Sequence, residues 1–511
     1  MGRRPMDRLC DDPRKRVNLW LLVLVLLVAF CLRLFNLAGK EIWYDEAFAA
    51  LYAEKDLGSI VYGTITPVEG AAADIHPLLY YFFLHGWMEI GQSPLVLRFP
   101  SVAFGLLAIP LLARLGRELF DTKTAILAAL LAAVSPFHIW YSQEARMYSL
   151  LCLVSLASIY FFVRACKGDI WRDWAVFAIL TGLSLYVHNL AFLVPVTLIL
   201  VTVASRRWNT LKRLIVASVI AATIFLPWLM LVPGQLAKVR QAYWVPTPGP
   251  TELVRTLLVF TFNLPLPQWL LPLCLFYSLL LLSLLLYRNL RPSWRRDQGA
   301  GLPWRLPLAL SFLPPVLMFL ISQIRAVYVE RAVLVSALAY CLSLSQVALR
   351  VRLPRLVMAT LIPVPVLLAG SLWYQYHYDQ FPRSPFREAN SYLQDHLEPG
   401  DVIVHDNKLS FFPSHYYDRS LPQEYVGDIP GSPSDTLALP TQQVLGLLAK
   451  SDVAQAVGDA RRVWFVVFQR ALAEAQQLGT ENPNKAWLDA HYHVTTAATF
   501  RDLKIVLYEI S

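Results

Sequence analysis

Charged residues are scarce in this sequence. Asp, Glu, Lys and Arg make up 16% of its 511 residues, whereas hydrophobic residues make up 56%. Soluble globular domains contain about 25% charged residues, so the composition excludes that class. Apolar stretches recur between Val17 and Trp373, and many approach the roughly 20 residues that a helix needs to cross a bilayer. The composition therefore predicts a membrane protein with many spans.

Several other features are missing from the sequence. None of the six cysteines lies in the polar C-terminal region, so no disulfide framework is expected there. No internal repeat is evident, which weighs against transporters built from duplicated halves. The first apolar run, "VNLWLLVLVLLVAFCLRLFN", has no small-residue cleavage site after it and is longer than a signal peptide's apolar region. We therefore interpret it as a retained anchor.

The charge that is present is unevenly distributed. Residues 376–511 hold 11 Lys and Arg against 17 Asp and Glu, a net charge of −6, and the rest of the chain carries +15. The basic residues cluster between apolar runs, as cytoplasmic loops do under the positive-inside rule. This pattern favours membrane topology over nucleic-acid binding. The clusters lie within residues 3–16, 114–123, 164–172, 206–213, 288–305 and 350–355.

With these clusters on one side, the sequence predicts a polytopic α-helical membrane protein with about eleven transmembrane helices. The N-terminus (1–16) is then cytoplasmic, the membrane domain covers 17–375 with an outer loop at 37–94, and the C-terminal domain (376–511) is extracytoplasmic. The predicted spans are 17–36, 95–115, 124–141, 147–163, 174–189, 190–205, 213–232, 267–287, 306–323, 332–349 and 355–373.

The polar segments have their own patterns. In the outer loop, Pro77 followed by an aromatic run predicts a helix lying in the membrane interface. The Pro and Gly residues of 232–258 predict a surface loop. In the C-terminal region, "DVIVHD", "RRVWFVVFQ" and "LKIVLYEI" are typical of buried strands, and helices such as "NKAWLDAHY" alternate with them. Another helix is expected to begin with Ser384 as N-cap. These elements predict a small α/β domain, and it contains no glycine motif for a nucleotide.

Two adjacent acids stand out in the outer loop. Asp45 and Glu46 lie within "KEIWYDEAFAALYAEKD", residues 40–56. On a helix neighbouring side chains point about 100° apart, so at most one of them can face a given site. A solvated pair at a helix start and a catalytic carboxylate are equally compatible with the pattern. The aromatic surroundings favour the second, because partial burial makes a carboxylate a better base.

Other polar residues fall at the predicted outer ends of spans. "SPFHIWYSQEARMYSL" (135–150) offers Glu144 and Arg146, although an interfacial anchor with Trp140, Tyr141 and Tyr148 in an aromatic belt is favoured in isolation. Charges at span ends are costly unless they line a polar cavity. They could also pair with each other or with lipid headgroups. The remaining candidates on the outer side are Asp74 and His76 within the outer loop, and His188, Glu330 and Arg331 at span ends.

Taken in order, these motifs resemble a known family. The sequence is similar to bacterial GT-C fold glycosyltransferases in five motifs, which are "WYDEAFA", "HPLLYYFFLHGWMEIGQSPLVLRFP", "SPFHIWYSQEARMYSL", "LYVHN" and "VYVERAVLVSALAY". These enzymes are related to protein O-mannosyltransferases and to lipid A aminoarabinose transferase. The resemblance covers about residues 17–373 and is densest over 40–165. One departure is "HPL" where many relatives have HPP.

The resemblance implies an inverting transfer of a sugar from a polyprenyl-phosphate donor to an acceptor on the outer face of a bacterial plasma membrane. It implies that Asp45 is the general base, that Glu46 supports the loop geometry, and that Glu144 is a second acid facing the site. Arg146 and Arg331 would stabilise the leaving phosphate. His76, Tyr141 and His188 would contact sugar or phosphate. The acceptor would be a glycan, a lipid or a protein hydroxyl.

Two other classes fit parts of the pattern. A transporter or flippase of lipid-linked sugars would suit the number of spans, but it should place ionisable residues near mid-membrane. A scaffold anchored by its spans would not need so elaborate an outer loop. No cofactor is expected. Several acids on one side would allow a divalent metal, but no ligand spacing supports one.

Overall fold

The computed structural model describes residues 13–290, 302–350 and 355–510. The basic residues of the N-terminus up to Arg8, Cys10 and parts of the clusters at 288–305 and 350–355 lie outside these ranges. The described chain divides into two compact units. We call residues 13–35, 98–232 and 245–376 the membrane unit. We call residues 36–97, 233–244 and 377–510 the polar unit.

The membrane unit is helical. Its apolar runs satisfy their backbone hydrogen bonds internally as helices, which lipid surroundings require. Every predicted span coincides with at least one helix. The helices are α1 (Pro13–Leu34), α5 (Pro94–Leu119), α6 (Thr122–Val134), α7 (Pro136–Ser142), α8 (Tyr148–Gly168), α9 (Trp171–Val187), α10 (Leu193–Ala204), α11 (Trp208–Leu229), α13 (Thr251–Thr261), α14 (Leu271–Leu290), α15 (Leu302–Ser322), α16 (Leu334–Arg350), α17 (Arg355–Thr360) and α18 (Pro363–Tyr376).

Among the described residues, seven helices are long and apolar enough to cross a membrane. An eighth span results if α6 and α7 are counted as one, since they are bent by 59° at Ser135. Other predicted spans correspond to shorter apolar helices, including Asn189–Ala204 and Leu271–Tyr287. The chain is thus a multi-pass membrane protein, while the number eleven stays a prediction.

The polar unit combines the outer loop with the C-terminal region. This division differs from the predicted one, which assigned the loop to the membrane domain. The loop forms α2 (Tyr44–Ala53), α3 (Leu57–Ile65), the two-residue strands β1 (Pro67–Val68) and β2 (Ala71–Ala72), and α4 (Leu79–Trp87). Pro77 lies two residues before α4 rather than in its first turn. A further helix, α12 (Val232–Gln241), lies almost wholly within this unit.

The C-terminal region of the polar unit is the predicted α/β domain. Its sheet has the order β4–β3–β5–β7–β6, in which β3 runs parallel to β4 and β5, and β7 runs antiparallel to β5 and β6. Its elements are α19 (Phe386–His396), β3 (Val402–His405), α20 (Lys408–Tyr417), β4 (Gln423–Tyr425), α21 (Leu439–Leu445), α22 (Val453–Val457), β5 (Arg462–Phe468), α23 (Gln469–Gln477), α24 (Pro483–His491), β6 (His493–Phe500) and β7 (Leu503–Glu509).

Both faces of this sheet bury apolar side chains. Trp464 and Ile505 belong to the core on one face, and Phe465 and Val506 to the core on the other, because successive strand residues point to opposite sides. A sheet covered on both faces explains the nearly continuous apolar runs of β5 and β7.

Two local expectations are wrong. The helix expected to begin at Ser384 begins at Phe386, and its N-cap position is Pro385, which has no capping side chain. The segment 232–258 is not a surface loop throughout, since it contains α12 and the beginning of α13. The five cysteines within the described ranges are all free.

Candidate active site

The predicted site residues divide between the two units. Asp45, Glu46 and His76 belong to the polar unit, and the other five belong to the membrane unit. The five are Tyr141, Glu144, Arg146, His188 and Arg331. Each group is described within its own unit.

Asp45 and Glu46 lie in the first turn of α2, after Trp43 in extended conformation at the N-cap position. The partial positive charge of a helix N-terminus stabilises carboxylates there. Glu46 is fully buried, whereas Asp45 is half-buried. The helix therefore turns one acid inward and leaves the other partly accessible, as the 100° angle between neighbours requires.

The buried acid is held by an arginine from the C-terminal region. Arg383 Nη1 donates to Glu46 Oε2 at 2.9 Å and to the carbonyl of Glu41 at 2.7 Å. Both side chains of this ion pair are almost completely buried, with 2% of Arg383 and none of Glu46 exposed. A buried carboxylate is stable only when paired and hydrogen-bonded. Glu46 therefore has a buried structural partner, whereas the side chain of Asp45 is only half-buried.

His76 is held by Asp74. Asp74 Oδ1 lies 2.9 Å from His76 Nδ1 and accepts the backbone N–H groups of Ile75 at 2.5 Å and His76 at 3.1 Å. Burial alone would raise the pKa of Asp74, but His76 and these hydrogen bonds bring the pKa below its ordinary value. The ionised Asp74 carboxylate accepts a hydrogen bond from Nδ1–H of His76. The sequence offered Asp74 and His76 together as candidates but assigned a binding role to His76 alone.

In the membrane unit, the "SQEAR" turn between α7 and α8 is buried rather than exposed. Glu144 and Arg146 are only 2% and 3% exposed. Trp140 Nε1 donates to Glu144 Oε1 at 2.9 Å. Trp140 and Tyr148 are themselves buried. The aromatic-belt interpretation is therefore wrong for these two residues, which face protein rather than lipid.

Gln143 and Ser101 fix the backbone of this turn. The side-chain amide of Gln143 donates to the carbonyls of Arg33 at 2.9 Å and Phe35 at 2.8 Å. The hydroxyl of Ser101 donates to the carbonyl of Arg146 at 3.3 Å. These bonds satisfy carbonyls at the end of α1 and in the turn.

Tyr148 brings three predicted binding residues together. The Arg331 guanidinium lies 5.1 Å from the centre of its ring, within the range of a cation–π contact. The rings of Tyr141 and His188 lie 5.4 Å and 6.1 Å from it. Tyr148 itself was not predicted as a site residue. Its position in "EARMYSL", directly after the acidic and basic pair, is the one signal in the sequence.

His188 and Glu330 each have a polar partner within the membrane unit. His188 Nδ1 accepts the backbone N–H of Leu190 at 3.1 Å, so in the neutral ring Nε2 carries the proton and is a donor. Glu330 Oε1 lies 3.2 Å from Arg255 Nε. The sequence left open whether Glu330 and Arg331 pair with each other or with lipid headgroups, and the structure shows that Arg255 of α13 is one partner of Glu330.

Within residues 13–290, 302–350 and 355–510, no three His, Cys, Asp or Glu side chains lie close enough together to hold a metal ion. We call the candidate residues of the polar unit the polar half-site and those of the membrane unit the membrane half-site. Polar groups pair within their own unit: Glu46 with Arg383 and His76 with Asp74 in the polar unit, and Glu144 with Trp140 in the membrane unit. The arrangement provides a half-buried carboxylate in one unit and, in the other, a cation stacked on an aromatic ring beside a histidine donor.

Comparisons with known proteins agree with this architecture. Residues 75–231 match the model of the dolichyl-phosphate-mannose-protein mannosyltransferase family. This segment includes His76, Tyr141, Glu144, Arg146 and His188 but neither Asp45 nor Arg331. No curated protein matches the chain in sequence.

Solved structures match over nearly the whole chain. ArnT from Cupriavidus metallidurans, bound to undecaprenyl phosphate, has a TM-score of 0.58 and 13% identity over 96% of this chain and 97% of its own. The oligosaccharyltransferase AglB from Archaeoglobus fulgidus, in complex with an inhibitory peptide and a dolichol-phosphate, has a TM-score of 0.52 and 12% identity over 98% of this chain and 74% of its own. At such identities the likeness shows the fold. The chain therefore has the GT-C fold predicted from its motifs, and over residues 75–231 it has the sequence pattern of the mannosyltransferase family.

Proposed function

We propose that this protein is an inverting glycosyltransferase that moves a sugar from a polyprenyl-phosphate donor to an acceptor hydroxyl. The observation that supports this most directly is the geometry of α2, which buries Glu46 against Arg383 and leaves Asp45 half-exposed in the first turn. The donor class comes from structures of the same fold, since ArnT is bound to undecaprenyl phosphate and AglB to a dolichol-phosphate.

In this mechanism Asp45 accepts the proton of the acceptor hydroxyl. The hydroxyl oxygen attacks the anomeric carbon, and the bond between that carbon and the phosphate oxygen breaks with its electron pair remaining on the phosphate. The phosphate leaves as an anion and needs positive charge rather than a proton. Arg331 and Arg146 supply that charge, and His188 Nε2–H donates to a phosphate or sugar oxygen. A single displacement inverts the anomeric configuration.

The proposed acceptor comes from structures of the same fold, and the proposed orientation comes from the charge distribution. The peptide bound to AglB supports a protein acceptor, and a lipid or glycan hydroxyl has the same chemistry. We place the protein in a bacterial plasma membrane with its N-terminus in the cytoplasm. Asp45 and the C-terminal domain then lie on the outer face, because the basic clusters fall on the other side of the predicted spans.

Reconstituted vesicles test the proposal. Purified protein receives a panel of labelled undecaprenyl-phosphate sugars (mannose, glucose, galactose, N-acetylglucosamine and aminoarabinose) with lipid, glycan and protein fractions of bacterial membranes as acceptors. We expect label to become covalently attached to one fraction, and Asp45→Asn to reduce the rate about 10³-fold, within the usual range for loss of a general base.

Matched measurements make the outcome decisive. Undecaprenyl phosphate should stabilise wild-type and Asp45→Asn protein equally against heat, which shows that the variant is folded. Full transfer by Asp45→Asn would contradict the base assignment. Translocation of the labelled lipid without transfer would instead identify a transporter or flippase. Activity after EDTA treatment would exclude a required divalent metal, which we do not expect to be needed.

A further inference from the structure

The segment that presents Asp45 is fastened by side chains from the C-terminal region of the polar unit. Arg387 Nη2 donates to the carbonyl of Ala38 at 2.8 Å, and the hydroxyl of Tyr417 accepts the backbone N–H of Ile42 at 2.7 Å. Residues 41–43 lie outside helices and strands. Backbone groups in such a segment need partners when they are buried. The C-terminal region supplies these partners.

Arg383 joins the chain on both sides of Asp45. One guanidinium nitrogen, Nη1, donates to the carbonyl of Glu41, four residues before Asp45, and to the carboxylate of Glu46, one residue after it. The extended residues before α2 are thereby tied to its first turn. These two contacts hold the start of α2, which is the backbone from which the Asp45 side chain projects.

Burial makes this contact more rigid than a surface ion pair. Only 2% of the Arg383 side chain and none of the Glu46 side chain is exposed, so neither group can exchange its partner for water. Removing one member of a buried pair leaves an uncompensated charge, which destabilises strongly. Ring packing supports the same turn, since the rings of Tyr44 and Phe412 meet edge to face at 5.4 Å.

We propose that Arg383 is a positioning residue for Asp45, so that the C-terminal domain is a working part of the transferase site rather than an appendage. The proposal rests on the proposed function of Asp45 as the base. Arg383 performs no chemical step. It holds the Asp45 carboxylate where the acceptor hydroxyl must lose its proton, and misplacement of a catalytic group by about 1 Å can reduce a rate about 10²-fold.

Four variants of the full-length protein separate positioning from folding. Arg383→Met removes the contact and leaves the buried Glu46 unpaired. Glu46→Gln/Arg383→Met removes both charges, so no unpaired buried ion destabilises the folded state. Arg383→Lys retains a charge and a donor. Arg419→Ala is the control. It removes an ion pair with Glu54 at the other end of α2, in which 47% of the arginine side chain is exposed.

Transfer is measured with whichever labelled undecaprenyl-phosphate sugar the wild-type protein uses. We expect Glu46→Gln/Arg383→Met to unfold within a few degrees of wild type, to keep the donor KM and the stabilisation by undecaprenyl phosphate, and to lose about 10²-fold in kcat. Arg383→Lys should recover part of that loss, and Arg419→Ala should stay within threefold of wild type. Backbone amides of residues 40–48 should exchange hydrogen faster in Arg383→Met.

Each result has a distinct meaning. A folded double variant with wild-type kcat would overturn the positioning role. Equal losses in Arg419→Ala and the double variant would also overturn it, because the effect would then belong to the whole interface. The proposed function fails separately, if wild-type protein transfers no sugar of the panel or Asp45→Asn is as active as wild type.

Discussion

The two units hold their site residues by different forces. In the polar unit, Asp45 and His76 depend on ionised partners, namely the Glu46–Arg383 pair beside Asp45 and Asp74 beside His76. In the membrane unit, Arg331 and His188 surround the ring of Tyr148, and their positions come from aromatic packing at helix ends.

This difference follows from the local structure. The ends of long helices are already fixed by the packing of the spans, so a site built there needs only side-chain contacts. The outer loop has short helices and extended connections, whose backbone groups need partners from elsewhere in the chain. The polar half-site should therefore be sensitive to charge removal and to pH, and the membrane half-site to loss of the cation and its aromatic support.

The strongest test of the membrane half-site is Arg331→Met. If Arg331 stabilises the leaving phosphate, removing its charge should reduce kcat about 10²- to 10³-fold, as loss of a preorganised charge-stabilising donor does. Arg331→Lys keeps the charge but lacks the guanidinium that lies over the ring of Tyr148, so an intermediate rate is expected. Single-turnover transfer in vesicles measures both. Arg255→Gln, which breaks the neighbouring pair with Glu330, is the control and should stay within threefold of wild type.

In the polar half-site, Asp74→Asn should destabilise the fold by about 2 kcal/mol at neutral pH, since it removes charged hydrogen bonds. The pKa of Asp74 is lowered in the folded protein, so the stabilisation by its ionised carboxylate is fully present above the unfolded-state value of about 4. That contribution is lost as pH falls toward the folded-state pKa. Thermal unfolding in detergent should therefore separate wild type and variant widely at pH 7 and less below pH 4.

The exposed Glu69, five residues before Asp74 in the same loop, provides the matched control. Glu69→Gln should behave as wild type at both pH values. A constant difference between wild type and Asp74→Asn from pH 7 to pH 3 would show that the carboxylate's charge is not what stabilises the loop.

Most helices and strands could be predicted from patterns of residues that are close together in the sequence. Apolar runs located the helices of the membrane unit, and the strands at Val402, Arg462 and Leu503 followed from short buried runs. The strand β6 was missed because most of its residues are exposed and its Ala and Thr residues show no apolar alternation. The segment 232–258 was misassigned because its prolines mark helix starts as well as loops, with Pro250 at the N-cap of α13.

The candidate site was predictable only where its residues are neighbours in sequence. "WYDEAFA" and "SQEAR" are compact motifs, so Asp45 and Glu144 could be selected directly. Arg383 could not, since it lies 337 residues from Glu46 and no periodicity connects such distant positions. The structure groups the outer loop with the C-terminal domain. The sequence placed the loop in the membrane domain, because the contacts behind this grouping join residues that are far apart in the chain.

A smaller effect is expected at His188, whose two nitrogens can be tested separately. His188→Asn keeps an acceptor near the Nδ1 position for the Leu190 N–H but removes the Nε2 donor. His188→Gln does the opposite. If Nε2–H contacts the donor's phosphate or sugar, Asn should raise the donor KM about tenfold, in the range for a hydrogen bond to a charged group. Gln should keep KM and lower only the unfolding temperature. If both variants kept the wild-type donor KM, the Nε2–H of His188 would not contact the donor.

The smallest effect should come from the exposed pair at the far end of α2. Arg419 and Glu54 form an ion pair in which nearly half of the arginine side chain is exposed, and such pairs contribute below about 1 kcal/mol. In a double-mutant cycle with Arg419→Ala and Glu54→Ala, the coupling free energy should therefore be small. It should also vanish at about 1 M salt, where exposed charges are screened within about 3 Å. The buried Glu46–Arg383 pair should keep its coupling at that salt concentration, because counterions cannot reach it. Equal salt sensitivity of the two pairs would mean that burial does not distinguish them, and that the position of Asp45 depends on ordinary surface contacts.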